Sequence, residues 1–417
     1  MSFSALGLKD ELLQAVSALG FTTPMPIQTQ AIPLLLPGDR DCIALAQTGT
    51  GKTAAFGLSL LHNIVPRVPT PQAVILCPTR ELCMQIAAEL RNYSRFLPGV
   101  RTLAVYGGSS IRFQMVELRR GVSIVVATPG RLLDLMNRRA IRFDAVRTTV
   151  LDEADEMLQM GFQEDIEDIL SAMPETSHTW MFSATMERSV AGIAHRHLRN
   201  PIEMSAVTEA SAPNIEHVCK TLHPSERSDA LRGLIDRTPD FFGLVFRRTR
   251  RSAQELAETF TRAGYPAASL HGDLSQPQRD RVMRSFRNRQ IRVLIATDVA
   301  ARGLDVSDVT HIIHYDLPDD PSVYTHRSGR TARAGKAGIS IAYASPADHP
   351  RIARFERMLN VSFDFLGVPR QTERSRGGEG GPNRRRFGGR PQRFGGRGRP
   401  HGQTQGHRTE TASYSNY

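Results

Sequence analysis

The sequence is poor in the residues that would build a disulfide scaffold, a membrane span or a lysine-rich surface. Its 417 residues include four cysteines, one tryptophan and only four lysines, at 9, 52, 220 and 336. The cysteines, at 42, 77, 83 and 219, form no Cys-x-x-Cys pair and have no nearby histidine at metal spacing. Three lie in or beside apolar segments, so they read as reduced core residues and not as zinc or redox sites. No apolar run approaches the length that spans a bilayer, and Asp10 and Glu11 stand where a signal peptide needs its apolar region. Both absences argue against a membrane partner and predict a cytoplasmic protein. Of the 53 basic residues, 49 are arginine, which makes the lysine at position 52 conspicuous.

Charge is distributed unevenly. From Gly367 to Tyr417 there are eleven arginines, no lysine, no aspartate and three glutamates, so this segment carries +8 of the formal +11. The same stretch repeats Arg386-Phe387-Gly388-Gly389-Arg390 as Arg393-Phe394-Gly395-Gly396-Arg397. A segment of Gly, Arg and Pro cannot bury enough apolar surface to order itself, so 367–417 is expected to be a disordered Arg/Gly-rich tail. Local arginine charge interleaved with phenylalanine favours a nucleic-acid partner.

The remainder exceeds what one hydrophobic core serves, and two domains are expected. Short apolar runs alternate with amphipathic stretches, the pattern of a parallel sheet flanked by helices. The first series of expected strands is Cys42 to Ala46, Ala73 to Cys77, Thr102 to Tyr106, Ser123 to Ala127, Thr148 to Leu151 and Thr179 to Phe182. A second series runs Leu244 to Phe246, Ala267 to Leu270, Val293 to Ala296, Ile312 to His314 and Ile339 to Tyr343. Ser211-Ala212-Pro213-Asn214 reads as linker chemistry. The expected division is 1–205, a linker 206–215, 216–366 and the tail.

Ala46-Gln47-Thr48-Gly49-Thr50-Gly51-Lys52-Thr53 follows an expected strand and precedes a helix. Its glycines allow backbone N–H groups to converge on an anion, Lys52 offers a point charge to the β and γ phosphates, and the Thr53 hydroxyl suits Mg²⁺. Ala46 replaces the usual glycine at the first position. This pattern points to nucleoside triphosphate binding. The second constellation is Asp152-Glu153-Ala154-Asp155 at the end of an apolar strand. Asp152 can hold Mg²⁺ through water and Glu153 can orient or deprotonate an attacking water. Ligands of open α/β sheets bind outside the strand carboxyl ends, so both motifs can face one crevice.

With these motifs in order, the chain resembles the DEAD-box ATP-dependent RNA helicases over about residues 3 to 345. The resemblance implies two tandem RecA-like parallel-sheet domains of the α/β class, ATP and Mg²⁺ as cofactors, and RNA as partner. Phe3, Gly20-Phe21 and Pro24 to Gln28 are similar to the family's adenine-recognition segment, with Gln28 reading the adenine edge and Phe21 stacking on the ring. Met25 stands where the family usually has Thr. Pro78-Thr79-Arg80-Glu81-Leu82, Gly107-Gly108 and Thr128-Pro129-Gly130-Arg131 resemble the RNA-contact segments of the first domain. In the second, Leu270 to Asp273 and Ala296 to Asp305 are the counterparts, implicating Gly272 and Thr297 in RNA contact and Asp305 at the ribose. Ser183-Ala184-Thr185 resembles the segment that couples hydrolysis to unwinding, its hydroxyls reaching the acidic box. His326 to Arg333 resembles the arginine-finger segment, with Arg330 and Arg333 three apart on one helix face. Ser328 and Ala332 depart from the usual Ile and Gly.

The resemblance implies a monomeric helicase that clamps single-stranded RNA and meets ribonucleoprotein complexes through its tail. A DNA translocase of the same superfamily and an RNA-binding clamp without obligatory unwinding stay open as alternatives. The Gln28 segment and Asp155 favour RNA. Deleting residues 367–417 is expected to lower RNA affinity and flatten its salt dependence, while ATPase at saturating RNA survives. Unchanged affinity at low salt would refute a role for the tail in RNA binding.

Overall fold

The computed structural model describes residues 2–47, 49–205, 214–301, 306, 308–332 and 336–366. Among the described residues fourteen strands form two sheets. The first contains β1 (Cys42–Leu45), β2 (Ala73–Leu76), β3 (Thr102–Val105), β4 (Ile124–Ala127), β5 (Thr148–Asp152), β6 (His178–Ser183) and β7 (Ile202–Ser205). The second contains β8 (Ile215–Thr221), β9 (Gly243–Phe246), β10 (Ala267–Leu270), β11 (Val293–Ala296), β12 (His311–His314), β13 (Gly338–Ala344) and β14 (Asp364–Leu366).

The strand orders are β3-β4-β2-β5-β6-β1-β7 and β10-β11-β9-β12-β13-β8-β14, one topology used twice. Every pairing is parallel, as in β1 on β6 from Cys42↔Trp180 to Leu45↔Ser183. Parallel strands need crossover helices, and these cover both faces of the sheet. Each sheet accordingly has a packed cluster on either side. That burial explains why β2 and β4 read as unbroken apolar runs, Ala73-Val74-Ile75-Leu76 and Ile124-Val125-Val126-Ala127.

Three strands were not expected from periodicity: β7, β8 and β14. Two of them are sheet edges. Edge strands bury less, and β7 hides only Met204 of its four residues, which removes the apolar signal. In β8, Glu216, His217 and Lys220 interrupt the pattern, and Ile215, expected as the last linker residue, instead pairs with Gly338. The tail, 367–417, lies outside the described residues. Among those described, no helix is long and apolar enough to cross a membrane, and all four cysteines are free and buried.

The floor of the first sheet's phosphate end is aromatic. Phe182 of β6 meets Phe56 edge to face, with ring centroids 5.2 Å apart, and both are fully buried. Phe56 belongs to the helix Lys52–Asn63. The packing therefore fixes that helix on the strand whose end carries Ser183. Phe182→Ala is expected to cost ~3–5 kcal/mol. The only tryptophan, Trp180, is buried in the same strand, so its fluorescence during urea unfolding reads this sheet. Phe286→Ala in the second core should shift that transition less, and equal shifts would contradict two separate cores.

Candidate nucleotide and RNA site

Where β1 ends, Ala46 is buried and donates its N–H to the Ser183 carbonyl at 2.9 Å. The chain then turns through Gln47, whose carbonyl accepts the Thr50 hydroxyl at 2.7 Å, into the helix that begins at Lys52. Thr48 lies outside the described residues. Gly49 and Gly51 have φ of +82° and +87°. A Cβ on Gly51 would stand 2.4 Å from Gln28 Nε2, so the turn excludes any side chain there. Helix N–H groups, the macrodipole and Lys52 then converge on one point. Thr53 is the second residue of the helix. Lys52 is only 6% exposed, and its Nζ finds no hydrogen-bond partner among the described residues. A buried ammonium in that condition calls for an anion.

Gln28 is tied at both ends. Its Oε1 accepts from Met25 N at 2.9 Å and its Nε2 donates to the Gly51 carbonyl at 3.2 Å. One N–H and one lone pair are left for an adenine edge. The amide thus links the segment expected to read the base to the loop expected to hold the phosphates. Phe21 remains 39% exposed, braced by Phe3 at 6.3 Å and by the edge of Tyr93 at 6.4 Å.

The acidic box closes the opposite side. Asp152 ends β5 and is 2% exposed. Burial raises its pKa to about 7, although nearby Lys52 pulls it down; the charge of Glu153 pushes it up further. Glu153 occupies the left-handed region at φ +53°, a strained state for a non-glycine residue, and caps the short helix Ala154–Gln159. Its Oε2 is buried and without a hydrogen-bond partner among the described residues. Asp155 does something different. Its Oδ2 accepts from Ala184 N at 3.1 Å, Thr185 N at 3.0 Å and the Thr185 hydroxyl at 3.1 Å. The expectation that both hydroxyls reach the acidic box therefore needs correction: Ser183 Oγ donates instead to the Thr185 carbonyl at 2.7 Å.

Mg²⁺ can be tested against this donor set. Among the described residues no group of three or more acidic, histidine or cysteine side chains is placed to hold a metal ion by itself. A site with one buried carboxylate, Asp152, and the Thr53 hydroxyl fits a cation that takes its other oxygens from phosphates and water. The Asp152 pKa is raised first by burial, against the pull of Lys52, and a cation at this carboxylate would favour its ionised form.

Residues expected at RNA lie beyond strand ends. Pro78 and Thr79 follow β2, and the Thr79 hydroxyl caps the helix Arg80–Tyr93 by accepting from Leu82 N at 3.2 Å. Gly108, at φ +81°, lies under Arg80, whose guanidinium would be 2.2 Å from a Cβ there. Thr128 follows β4 and precedes the helix Pro129–Asn137, which holds Arg131. Arg131 donates to Ser109 O at 3.1 Å and Gln114 Oε1 at 2.9 Å. In the second half Gly272 sits beside the Arg250 guanidinium, and Thr297 begins the turn after β11.

Arg330 is 7% exposed and lines a cleft with Glu156, Phe246, Asp298, Val323 and His326. The expected helix face is not what carries it. The helix Pro321–Ser328 stops at Gly329, so Arg330 occupies the turn beyond. Arg333 and Asp305 lie outside the described residues. The turn is anchored on both sides: Arg327 grips Asp298 through Nε at 2.6 Å and Nη2 at 2.8 Å, and Thr331 donates to the Val309 carbonyl.

Residues that sequence reasoning did not single out join the two halves. His326 contacts Glu156, four residues past Asp152. Burial opposes the histidine's charge, but the hydrogen bond that its ring N–H donates to Glu156 and the charges of Glu156 and Asp155 outweigh it, so its pKa is raised. Arg279 pairs with Glu81 at 2.6 Å, with both side chains 11% exposed. Arg80 Nη1 reaches Gln276 Oε1 at 3.4 Å. Glu81 and His326 lay inside quoted motifs. Nothing local marks their partners, because Glu81 and Arg279 are 198 residues apart and Glu156 and His326 are 170 apart.

Profiles of two families match: DEAD/DEAH box helicase over residues 25–193 and helicase conserved C-terminal domain over 226–335. The DEAD-box ATP-dependent RNA helicase CshA of Bacillus cereus is 44% identical over 369 residues, covering 88% of this chain and 70% of that protein. Among solved structures, S. cerevisiae Dbp5 bound to RNA and ADP BeF3 has a TM-score of 0.81 at 31% identity, over 88% of this chain and 95% of that one. The helicase Mss116 bound to single-stranded RNA and UDP-BeF has a TM-score of 0.79 at 26% identity, over 89% and 81%.

Asp152 has a pH consequence. A carboxyl whose pKa is raised in the folded chain contributes stability in full below the ordinary carboxylate range, and that contribution is lost as pH rises toward 7. In the nucleotide-free protein, Asp152→Asn is therefore expected to be more stable than wild type at about pH 8, by roughly 1–3 kcal/mol. The gap should close below about pH 4, where the acid is protonated in the folded and the unfolded chain alike. Thermal unfolding followed on Trp180 at both pH values checks this, and a pH-independent gap would contradict it.

Proposed function

The chain belongs to the DEAD-box ATP-dependent RNA helicases, RNA-stimulated ATPases that unwind or remodel RNA, and from that membership we propose how its residues share the work. Residues 1–205 form the ATP-binding domain, 206–214 the linker, 215–366 the second helicase domain, which starts one residue earlier than expected because Ile215 opens β8, and 367–417 an RNA-binding tail. Phe21 and Gln28 receive adenine. The loop from Ala46 to Thr53 holds the phosphates, with Lys52 on the β and γ groups. When bound between Thr53 and Asp152, Mg²⁺ supplies Lewis-acid neutralisation of the phosphate charge.

Glu153 orients the attacking water and takes its proton. The left-handed strain at this residue and its unpartnered Oε2 support that role, since both keep the carboxylate turned from local hydrogen bonds. Arg330, Arg333 and Asp305 come from the second domain, to the γ-phosphate and the ribose. The observation that carries the reading is the contact of His326 with Glu156: it brings the arginine-bearing turn against the helix that starts at the acidic box. Ser183 and Thr185 relay the state of that box. Asp155 grips Ala184 and Thr185, so a shift at the acids pulls on this segment.

RNA lies along Pro78, Thr79, Arg80, Gly108, Thr128 and Arg131 and continues over Gly272 and Thr297. These are mostly backbone-lined strand ends, suited to phosphates and 2′-hydroxyls and little concerned with base sequence. Arg80 and Glu81 also touch the second half through Gln276 and Arg279, so RNA seated on this segment favours closure of the cleft. The free, buried cysteines suit a reducing compartment such as the cytoplasm. A monomer suffices, because both walls of the site come from one chain.

ATP hydrolysis measured with single-stranded RNA and with single-stranded DNA tests the substrate, and equal stimulation by both would overturn the RNA assignment. In the same assay Glu153→Gln is expected to lose ~10²–10⁴ in turnover while retaining RNA with bound ATP. Full turnover in that variant would exclude Glu153 as the base.

A further inference from the structure

The helix Ile111–Arg119 begins one turn after Gly108 and turns an unusual face to solvent. Arg112, Phe113, Val116, Arg119 and the following Arg120 are exposed, and their spacing puts them on one side. Gln114 and Leu118 point inward. Phe113 is 58% exposed, the most exposed phenylalanine among the described residues, against 39% for Phe21 and 37% for Phe96. Arg120 is paired with Glu117 at 2.5 Å, but Arg112 and Arg119 make no ion pair among the described residues.

An isolated surface phenylalanine needs no explanation. This one is flanked by unpaired arginines and is fastened to the RNA-contact segments. Phe113 N donates to Ser110 Oγ, two residues past Gly108, at 3.4 Å. The neighbouring Gln114 accepts from Arg131 and donates to the Tyr106 carbonyl at 3.1 Å. The stripe is thus a continuation of the surface formed by Gly108 and Arg131, at the β3 edge of the first sheet. Positive charge next to an open aromatic face is the chemistry that holds unpaired nucleotides.

We propose that Phe113, Arg112 and Arg119 form an accessory platform for single-stranded RNA leaving the clamp. Phe113 stacks on an unpaired base, and the two arginines take the flanking phosphates. The proposal rests on the reading of Gly108 and Arg131 as RNA contacts. Its effect is to lengthen the grip on a strand that extends past the two domains.

Fluorescence anisotropy of labelled oligouridylates with the full chain and a non-hydrolysable ATP analogue tests this. One probe, of about 6 nucleotides, should fill only the clamp, and one of about 20 should also reach the platform. Phe113→Ala is expected to weaken the long probe about tenfold and the short one little. Phe113→Trp should restore binding, and Arg131→Ala should weaken both probes. Trp180 fluorescence checks folding of the Phe113→Ala and Arg131→Ala variants. Wild-type affinity of Phe113→Ala for the long probe, with both probes weakened by Arg131→Ala, would overturn the platform and leave the clamp reading intact. No effect of Arg131→Ala on either probe would overturn the clamp reading and this extension with it. If Phe113→Ala instead abolishes self-association in sedimentation without changing RNA binding, the face belongs to a second copy and the proposal is wrong.

Discussion

Lys52, which opens the helix after β1, and Asp152, which ends β5, are buried charged groups at strand ends on either side of β6, and Lys52 Nζ has no hydrogen-bond partner among the described residues. Taking charges out of water is costly unless they are paired and hydrogen-bonded. The ammonium has no acceptor among the described residues, and burial raises the Asp152 pKa to about 7 against the pull of Lys52. Such a cavity is in debt by design: it stabilises whatever brings a phosphate to the lysine and a cation to the acid. The left-handed turn at Gly51, the strained Glu153 and the Phe56–Phe182 packing all hold that arrangement against its tendency to relax.

The second constraint is division of the site between two halves. His326 against Glu156, Arg279 against Glu81 and Arg80 against Gln276 join them at two places, one beside the acids and one beside the RNA segment. Asp155 spends its carboxylate on Ala184, Thr185 and the Glu156 N–H.

The two sheets share one strand order, yet among the described residues the loops after their corresponding strands β1 and β8 differ. The helix after β1 starts at Lys52, and the corresponding helix after β8 starts at Arg227. Between β8 and that helix lies Leu222-His223-Pro224-Ser225-Glu226, which contains no glycine and forms a 3-10 turn. Arg227 is turned instead to Asp316, 3.5 Å away. Duplication of a fold thus leaves two different chemistries, decided by whether a short loop lets backbone N–H groups approach an anion.

Much of this was legible in the one-dimensional pattern. Short buried parallel strands announce themselves as unbroken apolar runs, and eleven of the fourteen were expected from that signal. The phosphate loop and the acidic box were equally plain, because their chemistry depends on neighbours in the chain: glycines beside a lysine, an acid at a strand end. β7, β8 and β14 were missed because edge strands and strands with interleaved polar residues carry no such signal. What only the tertiary structure decided is which long-range partners those residues take. Gln28 staples the base segment to Gly51, Ser183 turns from the acids to the Thr185 carbonyl, Arg330 stands beyond its helix, and Glu156 meets His326. Each is a choice among several partners of similar chemistry, and packing across distant parts of the chain makes that choice.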